Sequence, residues 1–155
     1  MVKLFEAESP THLAQARELF LEYARSLSFS LCFQNFDKEL AELPGAYAPP
    51  EGRLLLAEFE SQLAGCVALR KLGNDICEMK RLYVRPQFRG KRLGRALAER
   101  IISEAQQIGY SRMRLDTVEP VMKDAVAMYR RIGFQEIAPY CANPLDGALY
   151  MELEL

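Results

Sequence analysis

The sequence has few of the residues that build metal sites. Its 155 residues include one histidine, His12, and four cysteines that stand far apart and form no CxxC pair. Zinc sites in proteins draw on cysteine and histidine ligands at short, regular spacings. This shortage excludes a zinc site of the usual kind, and we expect the protein to bind no metal.

Long apolar runs are also missing. The N-terminal segment "MVKLFEAESP" lacks the apolar core of a secretory signal. No apolar run approaches the roughly 18 residues of a transmembrane helix. The four cysteines are therefore expected to be reduced and mostly buried thiols, at Cys32, Cys66, Cys77 and Cys141. These features predict a cytoplasmic protein with no membrane partner.

A large net charge of either sign is absent as well, since the formal charge is −1. A protein with so little net charge has no general attraction to nucleic acid, and we expect no nucleic-acid partner. The composition, 50% hydrophobic and 26% charged, is usual for a folded protein. Length and composition together predict one domain over residues 1–155.

The charges that are present are distributed unevenly. Eight of the 20 basic residues lie between Lys80 and Arg100, with Glu99 the only acid among them. Residues 1–60 carry the opposite excess, with five basic side chains against ten acidic ones. One part of the chain is therefore suited to an anion and another part is acidic.

Apolar periodicity predicts the element order β-α-α-β-β-β-α-β-α-β-β. The first helix begins after Ser9 with Pro10 in its first turn, and the long helix ends at Gly109. The predicted elements are strands at 2–8, 53–60, 62–72, 75–85, 110–117, 134–140 and 147–155, with helices at 10–27, 36–43, 91–108 and 124–133. Antiparallel pairing combined with a β-α-β crossover indicates an α/β fold with a mixed sheet.

The basic segment "QFRGKRLG", residues 87–94, falls between a predicted strand and the long helix. Backbone N–H groups at a helix start lack intrahelical partners, and the helix dipole favours anions there. Gly90 and Gly94 let the main chain approach a ligand closely. Neither the P-loop pattern GxxxxGK[ST] nor the Rossmann pattern GxGxxG matches the segment. The sequence indicates a phosphate site of another type, with a solvated basic helix start as the alternative.

The segment resembles the pyrophosphate turn of the GNAT superfamily of acyl-CoA-dependent N-acetyltransferases, whose pattern is [Q/R]xxGx[G/A]. The first and last positions match, and Arg92 replaces the middle glycine, in the run Arg89, Gly90, Lys91, Arg92, Leu93, Gly94. The segments "MKRLYVRP" and "AVAMYRRIGF" are similar to the cofactor strand and a later helix of the family. The resemblance covers nearly the whole chain in element order.

The resemblance implies a single-domain GNAT-like fold. Its mixed, mostly antiparallel twisted sheet has about seven strands and about four flanking helices, with a splayed central parallel pair. Acetyl-CoA is the implied co-substrate. Its pantetheine arm is expected at the main chain of Leu82, Tyr83 and Val84, and its pyrophosphate at the amides of residues 89–95, from Arg89 to Arg95. Arg92 is expected in a helical conformation that still presents its N–H group.

Two catalytic residues follow from the same resemblance. Tyr129 matches the family tyrosine whose hydroxyl reaches the coenzyme sulfur and protonates the leaving thiolate. Glu78 lies eleven residues before Arg89, where one branch of the family keeps a general base. If no bulge intervenes, alternation places Glu78 on one face of its strand with Leu82 and Val84. The alternative for Glu78 is a cross-strand ion pair with Lys80 or Arg70.

The resemblance predicts an N-acetyltransferase that moves an acetyl group from acetyl-CoA to a primary amine by direct attack in a ternary complex. The acidic excess over residues 1–60 favours a small cationic amine or a basic peptide as acceptor. The alternative is a catalytically silent CoA-binding sensor or partner-binding module. Relatives are often dimers, and the resemblance therefore allows a homodimer. Tyr140 and Asn143, near the C-terminus, receive no predicted role.

Overall fold

The computed structural model describes residues 1–27, 31 and 35–155. These residues form a seven-stranded sheet in the order β1-β2-β3-β4-β5-β7-β6. The strands are β1 Val2–Glu6, β2 Arg53–Phe59, β3 Gln62–Gly73, β4 Ile76–Val84, β5 Arg112–Val118, β6 Gln135–Glu136 and β7 Ala148–Glu154. The helices are α1 Pro10–Ser26, α2 Phe36–Glu42, α3 Leu93–Ile108 and α4 Lys123–Ile132. The predicted order of elements and the α/β class are confirmed.

Alternating side chains on the inner strands supply a hydrophobic core on each face of the sheet. On β2, Leu54 and Leu56 join one core with Leu19 and Phe20 of α1. The intervening Leu55 and Ala57 belong to the other core, against α3 and α4. Burial on both faces explains why this strand reads as a continuous apolar run in the sequence. The two helices α1 and α2 therefore cover one face, and α3 and α4 the other.

The start of α1 confirms its predicted cap. The Ser9 hydroxyl accepts a hydrogen bond of 3.1 Å from the backbone N–H of His12, and Pro10 occupies the first turn.

None of the helices among the described residues is long and apolar enough to cross a membrane. Cys66 and Cys77 are buried free thiols as predicted, whereas Cys141 is exposed, and Cys32 lies outside the described residues.

The strand predicted at 134–140 is mostly wrong. Only Gln135 and Glu136 pair with β7, and one further bond of 2.8 Å joins the Ile137 N–H to the Tyr150 carbonyl. Pro139 has no N–H group to continue the ladder, so the chain leaves the sheet at this point. The departure carries the segment after Pro139 across to the centre of the sheet.

Candidate active site

The two central parallel strands separate after a short paired region. β4 and β5 pair at three positions, Ile76 with Arg112, Cys77 with Met113 and Glu78 with Arg114. Past these pairs β4 continues to Val84 and β5 to Val118, and the described residues of the two strands are no longer in register with each other. The predicted splayed pair is confirmed, and it leaves backbone groups of β4 facing a gap.

The gap is a cavity that shares lining residues with a second cavity on the side of α2. Its walls are Met79 to Leu82 of β4, Leu115 to Val118 of β5, Tyr129 of α4 and Tyr23 of α1. Tyr129 is 7% exposed and its ring lies 5.6 Å from that of Phe134, which fixes its position on the helix. Burial raises the pKa of the Tyr129 hydroxyl, so this group is protonated throughout the neutral range. The gap therefore contains a neutral phenol at one wall.

A β-bulge in β4 changes which side chains share a face. Cys66 pairs with Tyr83 but Ala68 pairs with Lys80, so Arg81 and Leu82 together oppose one residue of β3. Arg81 has φ of 60°, a left-handed conformation that is uncommon outside glycine. The expectation that Glu78 shares a face with Leu82 and Val84 is therefore wrong.

The consequence of the bulge is visible in the packing. Leu82 and Val84 pack against the core beneath α3 and α4. Glu78 instead lines the second cavity, on the side of α2. Alternation alone cannot locate such a bulge, because it shifts the period by one residue without any marker in composition.

The turn before α3 also differs from its expected shape. Arg92 has φ of 62° and precedes the helix, which begins at Leu93 and not at Lys91. The expectation that Arg92 is helical is thus wrong, because it occupies the left-handed region where the family pattern has glycine. The first intrahelical bond runs from the Ala96 N–H to the Arg92 carbonyl, 3.1 Å. The amides of Leu93, Gly94 and Arg95 therefore open the helix without intrahelical acceptors, as an anion site requires.

The basic side chains of the turn have contacts of their own. Arg89 Nε donates to the Val84 carbonyl oxygen at 3.1 Å, which joins the turn to the end of β4. Lys91 Nζ lies 5.0 Å from the centre of the Phe59 ring. Arg95 Nε is 3.4 Å from Glu99 Oε1, one helical turn further along. Gly90 has φ of 83°, a conformation that glycine adopts readily.

Glu78 is held by two partners in the second cavity. The residue is 1% exposed; Oε1 accepts from Arg70 Nε at 2.7 Å, and Oε2 accepts from the Tyr140 hydroxyl at 2.7 Å. Lys80 Nζ stands 4.0 Å from Oε1. The cross-strand pair with Arg70 is thus present in the structure. Burial, together with the charge of Glu78, raises the pKa of Tyr140, so Tyr140 is a neutral donor to this carboxylate.

The second cavity has a volume of about 460 Å³ and lies between α2 and the sheet. Lys80 and Asp116 line this cavity and the gap alike, so these two residues border both spaces. Asp116 Oδ2 accepts from Asn143 Nδ2 at 3.1 Å. A cavity of this size suits a small molecule. Sequence reasoning gave Tyr140 and Asn143 no role because the contacts they make span 62 and 27 residues.

Five of the ten acids of residues 1–60 form ion pairs with arginine or lysine side chains. Arg81 binds both oxygens of Glu39, at 2.8 and 2.9 Å. The other pairs are Glu22 with Arg85 at 2.6 Å, Glu18 with Arg85 at 3.3 Å, Glu51 with Lys71 at 2.9 Å and Glu6 with Arg53 at 3.4 Å. Of these acids, Glu39 and Glu42 line the second cavity. The acidic excess that favoured a cationic acceptor is therefore not concentrated at the site.

The seven-stranded sheet, the split between β4 and β5, and the turn before α3 are the features expected of a GNAT acetyltransferase. Residues 13–134 match the model described as the acetyltransferase (GNAT) family, and the chain belongs to that family. It is an acetyltransferase. An uncharacterized N-acetyltransferase of Schizosaccharomyces pombe is 40% identical over 156 residues, which cover 99% of this chain and 95% of that protein.

Solved structures show the same fold. An acetyltransferase from Streptococcus agalactiae 2603 superposes with a TM-score of 0.80 at 25% identity, over 99% of this chain and 98% of that one. The PaiA N-acetyltransferase from Thermoplasma acidophilum, in complex with coenzyme A, has a TM-score of 0.74 at 17% identity, over 100% and 99% of the two chains.

Proposed function

We propose that the protein transfers the acetyl group of acetyl-CoA to a primary amine of a small acceptor, by direct attack within a ternary complex. The observation that carries this proposal is that two neighbouring cavities share Lys80 and Asp116 as lining residues. One cavity is the gap between β4 and β5 with Tyr129 in its wall, and the other is closed by α2. Two reactants bound in these cavities meet without an intermediate carrier.

Two segments of this chain are proposed to hold the pantetheine arm and the pyrophosphate of acetyl-CoA. In the proposed complex the main chain of Leu82, Tyr83 and Val84 holds the pantetheine arm along the open edge of β4. The amides and basic side chains of residues 89–95 hold the pyrophosphate at the start of α3. Support comes from the unpartnered amides that open α3 and from the coenzyme A complex of the PaiA N-acetyltransferase. Acetyl-CoA supplies an activated thioester.

Acetyl transfer requires two proton movements that the proposed site residues serve. The amine nitrogen forms a bond to the carbonyl carbon and loses a proton, while the carbon–sulfur bond breaks and the thiolate takes a proton. Tyr129 is the proposed proton donor, since burial raises its pKa and keeps it protonated before the reaction. Glu78 is the proposed acceptor of the amine proton, acting from the second cavity.

Glu78 could also serve only as a structural partner of Arg70 and Tyr140, and a substitution separates the two roles. We expect Glu78→Gln to lower kcat/KM by about a hundredfold, since a general base contributes about 10²–10⁴. Steady-state kinetics with an amine acceptor measure this effect.

Glu152→Gln is the matched control for this experiment. Glu152 accepts from Arg114 Nε at 2.8 Å, a cross-strand pair like that of Glu78 and Arg70, but it lines neither cavity. An unchanged kcat/KM in Glu78→Gln, with thermal destabilisation similar to that of the control, would assign Glu78 a structural role alone.

The anion site at the turn is tested by calorimetric titration of acetyl-CoA. We expect Arg89→Ala combined with Arg95→Ala to weaken binding about tenfold or more, because hydrogen bonds to charged groups contribute about 1.5–3 kcal/mol each. Arg100→Ala is the matched control, since Arg100 makes the same type of pair, 3.2 Å to Glu104, further along α3. Equal affinity in all three proteins would make the turn a solvated helix start.

The alternative function is a CoA-binding sensor or partner-binding module without turnover. It predicts micromolar acetyl-CoA binding but no acetylated product from any amine. Substitutions at Tyr129 and Glu78 would then change neither binding nor any output. Detection of an acetylated amine by mass spectrometry decides between the two functions.

A further inference from the structure

We infer that the acceptor carries a carboxylate a few bonds from its amine, and that Arg70 binds this carboxylate in the second cavity. The inference deepens the proposed function and rests on it. It names the acceptor as an amino-acid-like compound, in place of the small cationic amine or basic peptide that the sequence favoured.

The guanidinium of Arg70 is only partly used by the protein. Among the hydrogen bonds of the described residues, Arg70 donates from Nε alone, to Glu78. Its side chain is 38% exposed and lines the second cavity. The two terminal nitrogens of arginine carry four N–H groups in a planar fork that matches a carboxylate. A ligand carboxylate in this cavity can therefore pair with the outer edge of Arg70.

Charges of both signs line the second cavity around Arg70. The basic residues are Lys38, Arg70 and Lys80, and the acidic residues are Glu39, Glu42, Glu78 and Asp116. Glu78 accepts from Arg70 through one oxygen and from Tyr140 through the other. A zwitterion, with a carboxylate for Arg70 and an ammonium group for the acidic residues, matches this lining, whereas a polycation matches only its acidic part.

The position of Arg70 also fits the reaction geometry. Arg70 pairs across the sheet with Glu78, and Glu78 is the last residue of β4 in register with β5. Neighbouring strands lie about 4.8 Å apart, so Arg70 stands beside the point where the gap opens. A carboxylate held there leaves an amine a few bonds away at the junction formed by Lys80 and Asp116. The Asp116 carboxylate at this junction attracts the cationic end of a zwitterion.

Matched acceptor pairs test the inference. Each pair consists of an amino acid and its decarboxylated amine, such as phenylalanine with phenethylamine and methionine with 3-methylthiopropylamine. The two members of a pair differ in the carboxylate alone. Mass spectrometry of the acetylated product gives kcat and KM without a thiol reagent. We expect kcat/KM to be at least tenfold higher for the amino acid in each productive pair.

Arg70→Lys then identifies the residue responsible. Lysine keeps a positive charge beside Glu78 but lacks the fork, so KM for the amino acid should rise about tenfold while the amine is unaffected. Lys71→Gln is the control, since Lys71 follows on the same strand, pairs with Glu51 and lines neither cavity. Thermal denaturation of both variants establishes that they are folded.

The outcomes separate the inference from the proposed function. Acetylation of amines with no preference for the carboxylate overturns the inference alone. A KM that rises equally for both members of a pair in Arg70→Lys also overturns it. Acetyl-CoA binding without acetylation of any compound overturns the proposed function, and the inference with it.

Discussion

Tyr129→Phe is expected to lower kcat by about a hundredfold while the Kd for acetyl-CoA stays within twofold, because a positioned proton donor contributes about 10²–10⁴ to the rate. The phenyl ring keeps the contact with Phe134, whose ring lies 5.6 Å away, and removes only the hydroxyl. Single-turnover kinetics with an amine acceptor measure the chemical step, and calorimetry measures binding.

Tyr110→Phe is the matched control for this substitution. Tyr110 is also buried, 9% exposed, but its hydroxyl donates to the Glu51 carbonyl at 2.8 Å, away from both cavities. Its loss should change stability by about 1 kcal/mol and leave kcat unchanged. If Tyr129→Phe had a normal kcat, water would be the donor of the proton that the thiolate takes up. Tyr129 would then contribute only to packing in the core.

Gly65→Ala is expected to destabilise the fold by about 1–3 kcal/mol, the usual range for overpacking, and to weaken acetyl-CoA binding. A Cβ at Gly65 would lie 2.5 Å from the Tyr83 carbonyl oxygen and 3.3 Å from the Val84 Cα. Both are backbone atoms that no rotamer change can move. Relief of the contact must therefore displace the end of β4, where the proposed pantetheine contacts lie. Urea denaturation and calorimetric titration measure the two effects.

Gly73→Ala, on the same strand, separates this contact from a general effect of replacing glycine. A Cβ at Gly73 meets no atom within 4 Å, and the change should alter stability by less than about 0.5 kcal/mol. If Gly65→Ala and Gly73→Ala had the same stability and the same affinity for acetyl-CoA, the end of β4 would shift more easily than its packing indicates.

The elements of the fold were predictable because they depend on local patterns. The helices α1 and α3 follow from apolar spacing and from their end signals at Ser9 and Gly109. The position of the turn before α3 follows from its charge and glycines. Each of these patterns depends only on residues that are close together in the chain, so it can be read directly from the sequence.

The site was less predictable because it depends on backbone detail and on contacts between distant residues. The bulge at Arg81 reverses the face of Glu78, and no residue type near Arg81 signals it. Arg92 adopts the left-handed conformation without being glycine. The contact between Tyr140 and Glu78 joins residues 62 apart, and it exists because Pro139 ends a strand early. These features become visible only when the tertiary structure is known.

The split between β4 and β5 has a consequence for folding. The sheet consists of two halves that are each continuous along the chain, β1–β4 and β5–β7, and within the part of the chain that the structure describes only three residue pairs join them. A ligand that forms hydrogen bonds with the open strand edges replaces the interstrand bonds that are missing there. Its binding free energy stabilises the folded sheet and couples the unfolding of the two halves. The two halves would then melt as one unit when the gap is filled, and the seam between them is the natural place for local opening when it is empty.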